Sequence, residues 1–189
     1  QIKMKSYLAI GLKLTLVTLI FFSGIYTLFI FGIAQIAQNQ GKGIMVESNE
    51  KKYFKNIGQS FTEAKYFNSR PSAVDYNAAG SGGSNKGPSN PEYLAEVQKR
   101  IDTLMLQNPD IIKSEIPADM VTASGSGLDP NISVQGAKIQ IKRIAKVRNL
   151  EEKKLKDLIA STTEKPFLGL FGPEKINVLE LNIALDKLK

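Results

Sequence analysis

The 189-residue chain contains no histidine and no cysteine. The commonest general base, the thiol nucleophile and the usual transition-metal ligands are therefore missing. Ser48-x-x-Lys51 has the spacing of a Ser–Lys hydrolase pair, but spacing alone matches by chance, and the pair falls in a polar connector. Gly82 and Gly87 have the gap of a phosphate-binding Walker loop, yet Pro88 stands where that loop needs lysine. No Asp-rich calcium loop occurs. Lys138, Lys142, Arg143 and Lys146 form a basic helix face. A solvated face is the preferred reading; contact with lipid headgroups or an acidic partner is the alternative. Basic and aromatic residues do not interleave, so no nucleic-acid site is expected. Neither a catalytic residue, a metal ligand nor a bound cofactor is expected on this chain.

One element must position everything else. Leu14 to Ala34 carries no charge, and thirteen of its 21 residues are Leu, Ile, Val or Phe. At the helical rise the run is about 31 Å long, matching a hydrocarbon core of roughly 30 Å. Thirteen such residues favour insertion by about 4–8 kcal/mol, before a discount for Thr15, Thr18, Ser23, Gly24 and Thr27. The run is longer than a signal-peptide core, although Gly32-Ile33-Ala34 offers a small-x-small cleavage site. A transmembrane helix is expected at 14–34, behind a short basic segment at 1–13. With Lys3, Lys5 and Lys13 ahead of the span and no acid among them, the N-terminus is expected in the cytoplasm. A connector at 35–52 and an extracytoplasmic globular domain at 53–189 follow. With no cysteine, disulfides say nothing of the compartment.

From Lys42 onward the chain holds 22 Lys/Arg and 18 Asp/Glu, so 22 − 18 gives a mild +4. The expected fold class is α/β (α+β): a helix-rich domain with few short strands, tethered by one N-terminal transmembrane helix. A short strand is expected near Ile44–Val46, and strand or extended structure around Lys55–Phe61. Ala79–Pro91 is a Gly/Ser/Asn/Pro loop. A helix starts after it, with Asn90 capping and Pro91 first, or Ser89 and Glu92 as a capping box. Leu94, Val97, Ile101 and Leu104 give its apolar face. Pro117–Ala123 reads as one short helix, and 124–130 as a second small-residue loop. Ser133 caps a helix ending near Asn149, with Ala137, Ile141, Ile144 and Ala145 inward. Leu150–Ser161 follows, with Leu155, Leu158 and Ile159 inward. Pro166–Pro173 breaks the pattern. Asn177 and Glu180 open a closing helix with Val178, Leu181, Leu185 and Leu188 inward, and a strand over Ile176–Leu181 is the alternative.

Ile57-Gly58-Gln59-x-Phe61, Tyr66-Phe67-x-x-Arg70-Pro71-Ser72-Ala73, Tyr76-Asn77 and Ser81-Gly82-Gly83-Ser84-Asn85-x-Gly87-Pro88-Ser89-Asn90-Pro91 resemble the C-subunit (KdpC) family of Kdp potassium-transporting ATPases. So do Val121–Pro130, Gln140-x-x-Arg143-x-Ala145-x-x-Arg148 and Asn177-Val178-Leu179-Glu180-Leu181-Asn182-x-Ala184-Leu185-Asp186. Asn68 and Asn131 stand where the family more often has histidine, and Asn56 and Lys86 where it more often has an apolar residue.

The resemblance implies a non-catalytic, single-span subunit of a high-affinity potassium importer in the bacterial cell membrane. Its implied partners are a channel-like potassium-translocating subunit, a P-type ATPase subunit and a small single-span subunit, with membrane lipid around them. ATP and potassium would be handled by the complex. The family is described as a catalytic chaperone that raises the ATPase subunit's affinity for ATP. A domain outside the membrane could not touch cytoplasmic ATP, so an assembly role is preferred here. An autonomous anchored binding module is the reading from a different class, with a Ser48–Lys51 hydrolase behind it. Expected partner contacts are Gly24 and Thr27 in the span, where small side chains permit close helix approach. In the loops they are Ser81, Gly83, Asn85, Asn90, Thr122, Ser124, Ser126 and Asp129. The competing reading is that these loops only brace the domain itself.

Overall fold

The uncharged run lies inside a longer helix. In a computed structural model, which describes residues 2–48 and 50–188, α1 (Ile2–Leu19) runs through a π-helical segment, Ile20–Tyr26, into α2 (Thr27–Ile36). Met4–Ile36 is long and apolar enough to cross a membrane, with a mean hydropathy of 2.2 over its best window. Its threonines are tolerated because they return their hydroxyls to the helix backbone. Thr15 Oγ1 donates to Gly11 O at 2.9 Å and Thr18 Oγ1 to Leu14 O at 2.9 Å. Thr27 Oγ1 reaches back five residues to Phe22 O at 3.0 Å, a spacing that belongs to the π-helical turn. A 3₁₀ turn, Gln38–Gly41, follows, and this first compact unit ends at Ile44.

The second unit, Met45–Lys189, is mixed: helices with a few short strands. It opens with an antiparallel hairpin of β1 (Met45–Ser48) and β2 (Lys51–Phe54), in which Met45 faces Phe54 and Ser48 faces Lys51. The strand expected near Ile44–Val46 is thus β1; of the two readings at Lys55–Phe61 no strand forms, because Met45–Ser48 pairs with Lys51–Phe54 instead. After the long loop comes α3 (Pro91–Gln107), where Asn90 Oδ1 accepts from Tyr93 N at 3.0 Å. The single-residue cap therefore forms rather than the Ser89–Glu92 box. Leu104 is buried and Val97 and Ile101 are half-buried, but Leu94 is 51 % exposed. Half-buried Tyr93 sits inward at that turn instead. The expected helix at Pro117–Ala123 is only a 3₁₀ turn, Ala118–Met120.

The segment expected as one helix to Asn149 is two: α4 (Val134–Lys138), capped by Ser133 Oγ, and α5 (Ile141–Arg148). Asn149 ends α5 with left-handed backbone, the conformation Asn tolerates best after Gly. Then come α6 (Glu152–Thr162) and α7 (Val178–Asp186), the latter capped by Asn177 Oδ1 accepting from Glu180 N. Short strands β3 (Asn131–Ile132) and β4 (Ile176–Asn177) pair antiparallel, so the strand alternative at 176–181 is realised for two residues before the helix begins. The core lies among α4 to α7. Phe67, Ile132, Ala137, Ile144, Leu155, Ile176, Leu181 and Leu185 are essentially inaccessible, and Val178 nearly so.

Candidate functional site

The two small-residue loops meet. Gly82 N donates to Ser126 O at 2.9 Å, and Ser81 Oγ donates to the same carbonyl at 3.0 Å. Gly83 lies so close to Gly125 that a Cβ there would stand 3.1 Å from its carbonyl oxygen. A third segment, Arg70–Tyr76, clamps the second loop. Ser72 Oγ donates to Gly127 O at 2.7 Å and accepts from Tyr76 N at 2.9 Å. Ser124 is buried, and its N–H donates to Pro71 O at 3.4 Å. Gly58 N donates to Leu128 O at 2.7 Å. Arg70 pairs with Asp129 at 2.8 Å, and Asp129 Oδ1 also accepts from Asn131 N at 3.0 Å.

The expected contact residues therefore divide. Ser81, Gly83, Ser124, Ser126 and Asp129 hold loop against loop or loop against core. Asn90 caps α3, and Thr122 Oγ1 donates to Ala118 O at 2.7 Å. These contacts are bracing. Asn85 differs: it is exposed, with left-handed backbone at φ 53°. In the span, a Cβ on Gly24 would meet nothing within 4 Å, so its face of the helix is open.

The basic face of α5 is only partly solvated. Lys142 and Lys146 are exposed, but Arg143 is 8 % exposed. Its Nε donates to Asn108 Oδ1 at 3.0 Å and Nη1 to Ala64 O at 2.7 Å. Its Nη2 donates to Asn68 Oδ1 and Gln140 Oε1, both at 2.6 Å. None of these partners is charged, and burial pulls the guanidinium down to about 10, so it stays charged at neutral pH. The solvated reading is thus corrected at Arg143: it is a structural tie. Residues Lys142, Lys146, Thr62 and Asp110 rim a cavity of about 330 Å³ outside it.

Ser48 and Lys51 close the β1–β2 hairpin as directly opposed residues. Ser48 lies at the edge of a cavity of about 270 Å³ with Tyr53, Phe61, Tyr66, Asn182 and Asp186, whereas Lys51 is exposed. At that cavity Tyr66 Oη donates to Asp186 Oδ2 at 3.0 Å, and Arg148 pairs with Asp186 Oδ1 at 2.6 Å. Burial, then the bond to Asp186, pushes the Tyr66 phenol up. Among the described residues no group of acidic side chains could hold a metal ion.

One exposed feature was missed by sequence reading. Phe167, Leu168, Leu170 and Phe171 project at a hairpin tip, 64–81 % exposed. The signal was present as four large apolar residues within five positions, between Pro166 and Pro173.

Comparison with known proteins follows this geometry along the chain. The profile of the family described as "KdpC: K+-transporting ATPase, c chain" matches residues 8–187. A Flavobacterium johnsoniae protein named "Potassium-transporting ATPase KdpC subunit" is 63 % identical over 179 residues, 94 % of this chain and 96 % of that one. Proteins of the same name are 49 % identical in Bacteroides fragilis (95 % and 96 % covered) and 41 % identical in Bacillus cereus (98 % of each).

Proposed function

The chain belongs to the KdpC family of K+-transporting ATPase c chains, and from that premise we propose that it is the accessory subunit that holds a potassium-importing P-type ATPase together in the cell membrane. The observation that carries this reading is the reach of the family match, which takes in both the apolar helix and the loop-rich domain. The span packs against the channel-like subunit through its Gly24–Thr27 face, and the domain covers that subunit's outer mouth. The P-type ATPase subunit and the small single-span subunit complete the set. The N-terminus is cytoplasmic and the domain extracytoplasmic. Any gain in the ATPase subunit's affinity for ATP then passes through the assembled complex rather than through direct contact with nucleotide.

Copurification in mild detergent tests assembly. The full-length chain is expected to bring down large polytopic partners. Gly24→Leu puts a bulky side chain on the open face and should cut their recovery about tenfold, equivalent to about 1.4 kcal/mol. Recovery of the chain by itself, or full recovery with Gly24→Leu, contradicts the assembly reading or the packing face respectively.

The side of the membrane is separately testable, because the chain has no cysteine of its own. Ser89→Cys, on an exposed loop, should react with an impermeant maleimide in intact spheroplasts. Lys5→Cys should react only after permeabilisation. The reverse pattern overturns the topology.

A further inference from the structure

The hairpin between α6 and β4 presents its most apolar residues to water. Glu164 and Lys175 pair at its base, exchanging both backbone bonds at 2.8 and 3.2 Å. Phe167 and Phe171 pair near the tip, exchanging both bonds at 3.0 Å, with ring centroids 6.4 Å apart. The turn between them carries Leu168 at φ 54° and Gly169 at φ 73°. A water-facing turn normally gives such a position to Asn, Asp or Gly, because a Cβ is disfavoured there. Leu168 is therefore unfavourable in water twice over: its backbone is strained and its side chain is 74 % exposed.

We infer that the Phe167–Phe171 tip inserts into the membrane–water interface. This rests on the reading of Met4–Ile36 as a membrane span. Three observations favour lipid over a protein groove. First, the tip is apolar all round: Phe167, Leu168, Leu170 and Phe171 are 72, 74, 81 and 64 % exposed, with no polar side chain between them. A protein groove would need one face, whereas hydrocarbon accepts every face. Second, four of the tip's five backbone donors are paired internally, which lowers the cost of leaving bulk water, the Leu168 N–H being the exception. The N–H groups of Phe167, Gly169, Leu170 and Phe171 all donate within the hairpin. Third, charge and chain length agree. Exposed Lys165 adjoins the tip, where its ammonium can meet anionic headgroups, while Lys175 at the base is paired with Glu164 at 3.5 Å. Only residues 37–44 separate the end of α2 from β1, a reach of at most about 30 Å.

The test uses the full-length chain in phosphatidylethanolamine/phosphatidylglycerol vesicles containing a lipid with a doxyl quencher on its acyl chain. Three unique cysteines carry an environment-sensitive fluorophore: Leu168→Cys at the tip, Ser89→Cys on an exposed loop, and Ile25→Cys in the span. The Leu168 label should be quenched at least threefold more than the Ser89 label. Adding Phe167→Ser and Phe171→Ser, both at exposed positions, should return it to the Ser89 level. Quenching at Ile25 but not at Leu168 overturns the inference and leaves the anchor reading standing. Quenching at neither overturns both. Shielding of the Leu168 label only when partner subunits are present assigns the tip to a protein and overturns the lipid assignment.

Discussion

Arg143→Leu is expected to destabilise the domain by about 3–4 kcal/mol and to lower its melting temperature by about 10–15 °C in calorimetry of the full-length chain. The side chain fits the space, so packing is not the main loss. The loss is of donors. Asn108 Oδ1, Ala64 O, Asn68 Oδ1 and Gln140 Oε1 all take hydrogen bonds from this guanidinium. Asn108 and Gln140 are buried, so water cannot replace the donor there without opening the core. Each buried acceptor left unpaired costs about 1–3 kcal/mol, reduced by whatever relaxation the site allows. The damage spreads, because the acceptors have second jobs. Gln140 Oε1 also accepts from Asn68 N at 2.8 Å, and Asn68 Nδ2 donates to Phe61 O at 2.8 Å. Arg143 thus ties α5 to the end of α3 and to the irregular 61–68 segment, which has no ladder of its own. Arg143→Lys keeps the charge but supplies a point donor in place of a fork, so most of the loss should remain. A melting point within about 2 °C of the parent chain for Arg143→Leu would show that the network relaxes freely and is not a tie.

Arg143 also marks where sequence reading stopped. Helix periodicity placed it beside Ile144 on a basic face, and nothing local separates it from Lys142 or Lys146. Three of its four acceptors lie 35 to 79 residues away in the chain, and only the tertiary fold brings them together. What was legible was local chemistry. Asn90, Ser133 and Asn177 cap helices with side-chain oxygens, and each is visible as a short polar residue ahead of an apolar period. Asn149 as a helix end follows from its tolerance of left-handed backbone. The inward stripes of α5, α6 and α7 follow from 3.6-residue spacing. The break at Gln140 was not legible, because its buried amide bonds not only to Gly136 and Arg143 nearby but also to Asn68, 72 residues away. The strand expected near Ile44–Val46 is realised as β1, but the position of its partner was not legible. Tyr53 to Phe61 is as rich in aromatic residues as Met45 to Phe54, and pairing, not propensity, decided which stretch became a hairpin. At the candidate site, composition showed that two loops needed ordering but not that they order each other.

Gly127→Ala tests the bracing of those loops, and Asn85→Ala, made alongside it, separates bracing from docking. Gly127 has φ 67°, where any L side chain is strained. An added Cβ would stand 2.5 Å from Val74 Cγ2 and 2.8 Å from Gly82 O. The valine methyl has room to yield only by changing rotamer; the Gly82 carbonyl is backbone and must carry its loop with it. Strain of about 1–2 kcal/mol and overpacking of similar size predict a loss near 3 kcal/mol, or about 10 °C. Moving Gly82 also weakens its bond to Ser126 and the Ser81 bond beside it. Asn85→Ala is the complement. That side chain is exposed and carries none of the loop-to-loop bonds. If the loops serve only as braces, Gly127→Ala lowers stability and Asn85→Ala changes neither melting nor recovery of partner subunits. If they also dock, as the assembly role proposes, Asn85→Ala leaves melting within about 2 °C and still reduces partner recovery severalfold. The docking arm is the expected one, since Asn85 is exposed and takes no part in the loop-to-loop bonds that account for its neighbours. Unchanged recovery with Asn85→Ala would return the loops to the domain's own architecture and leave the span as the main contact to test.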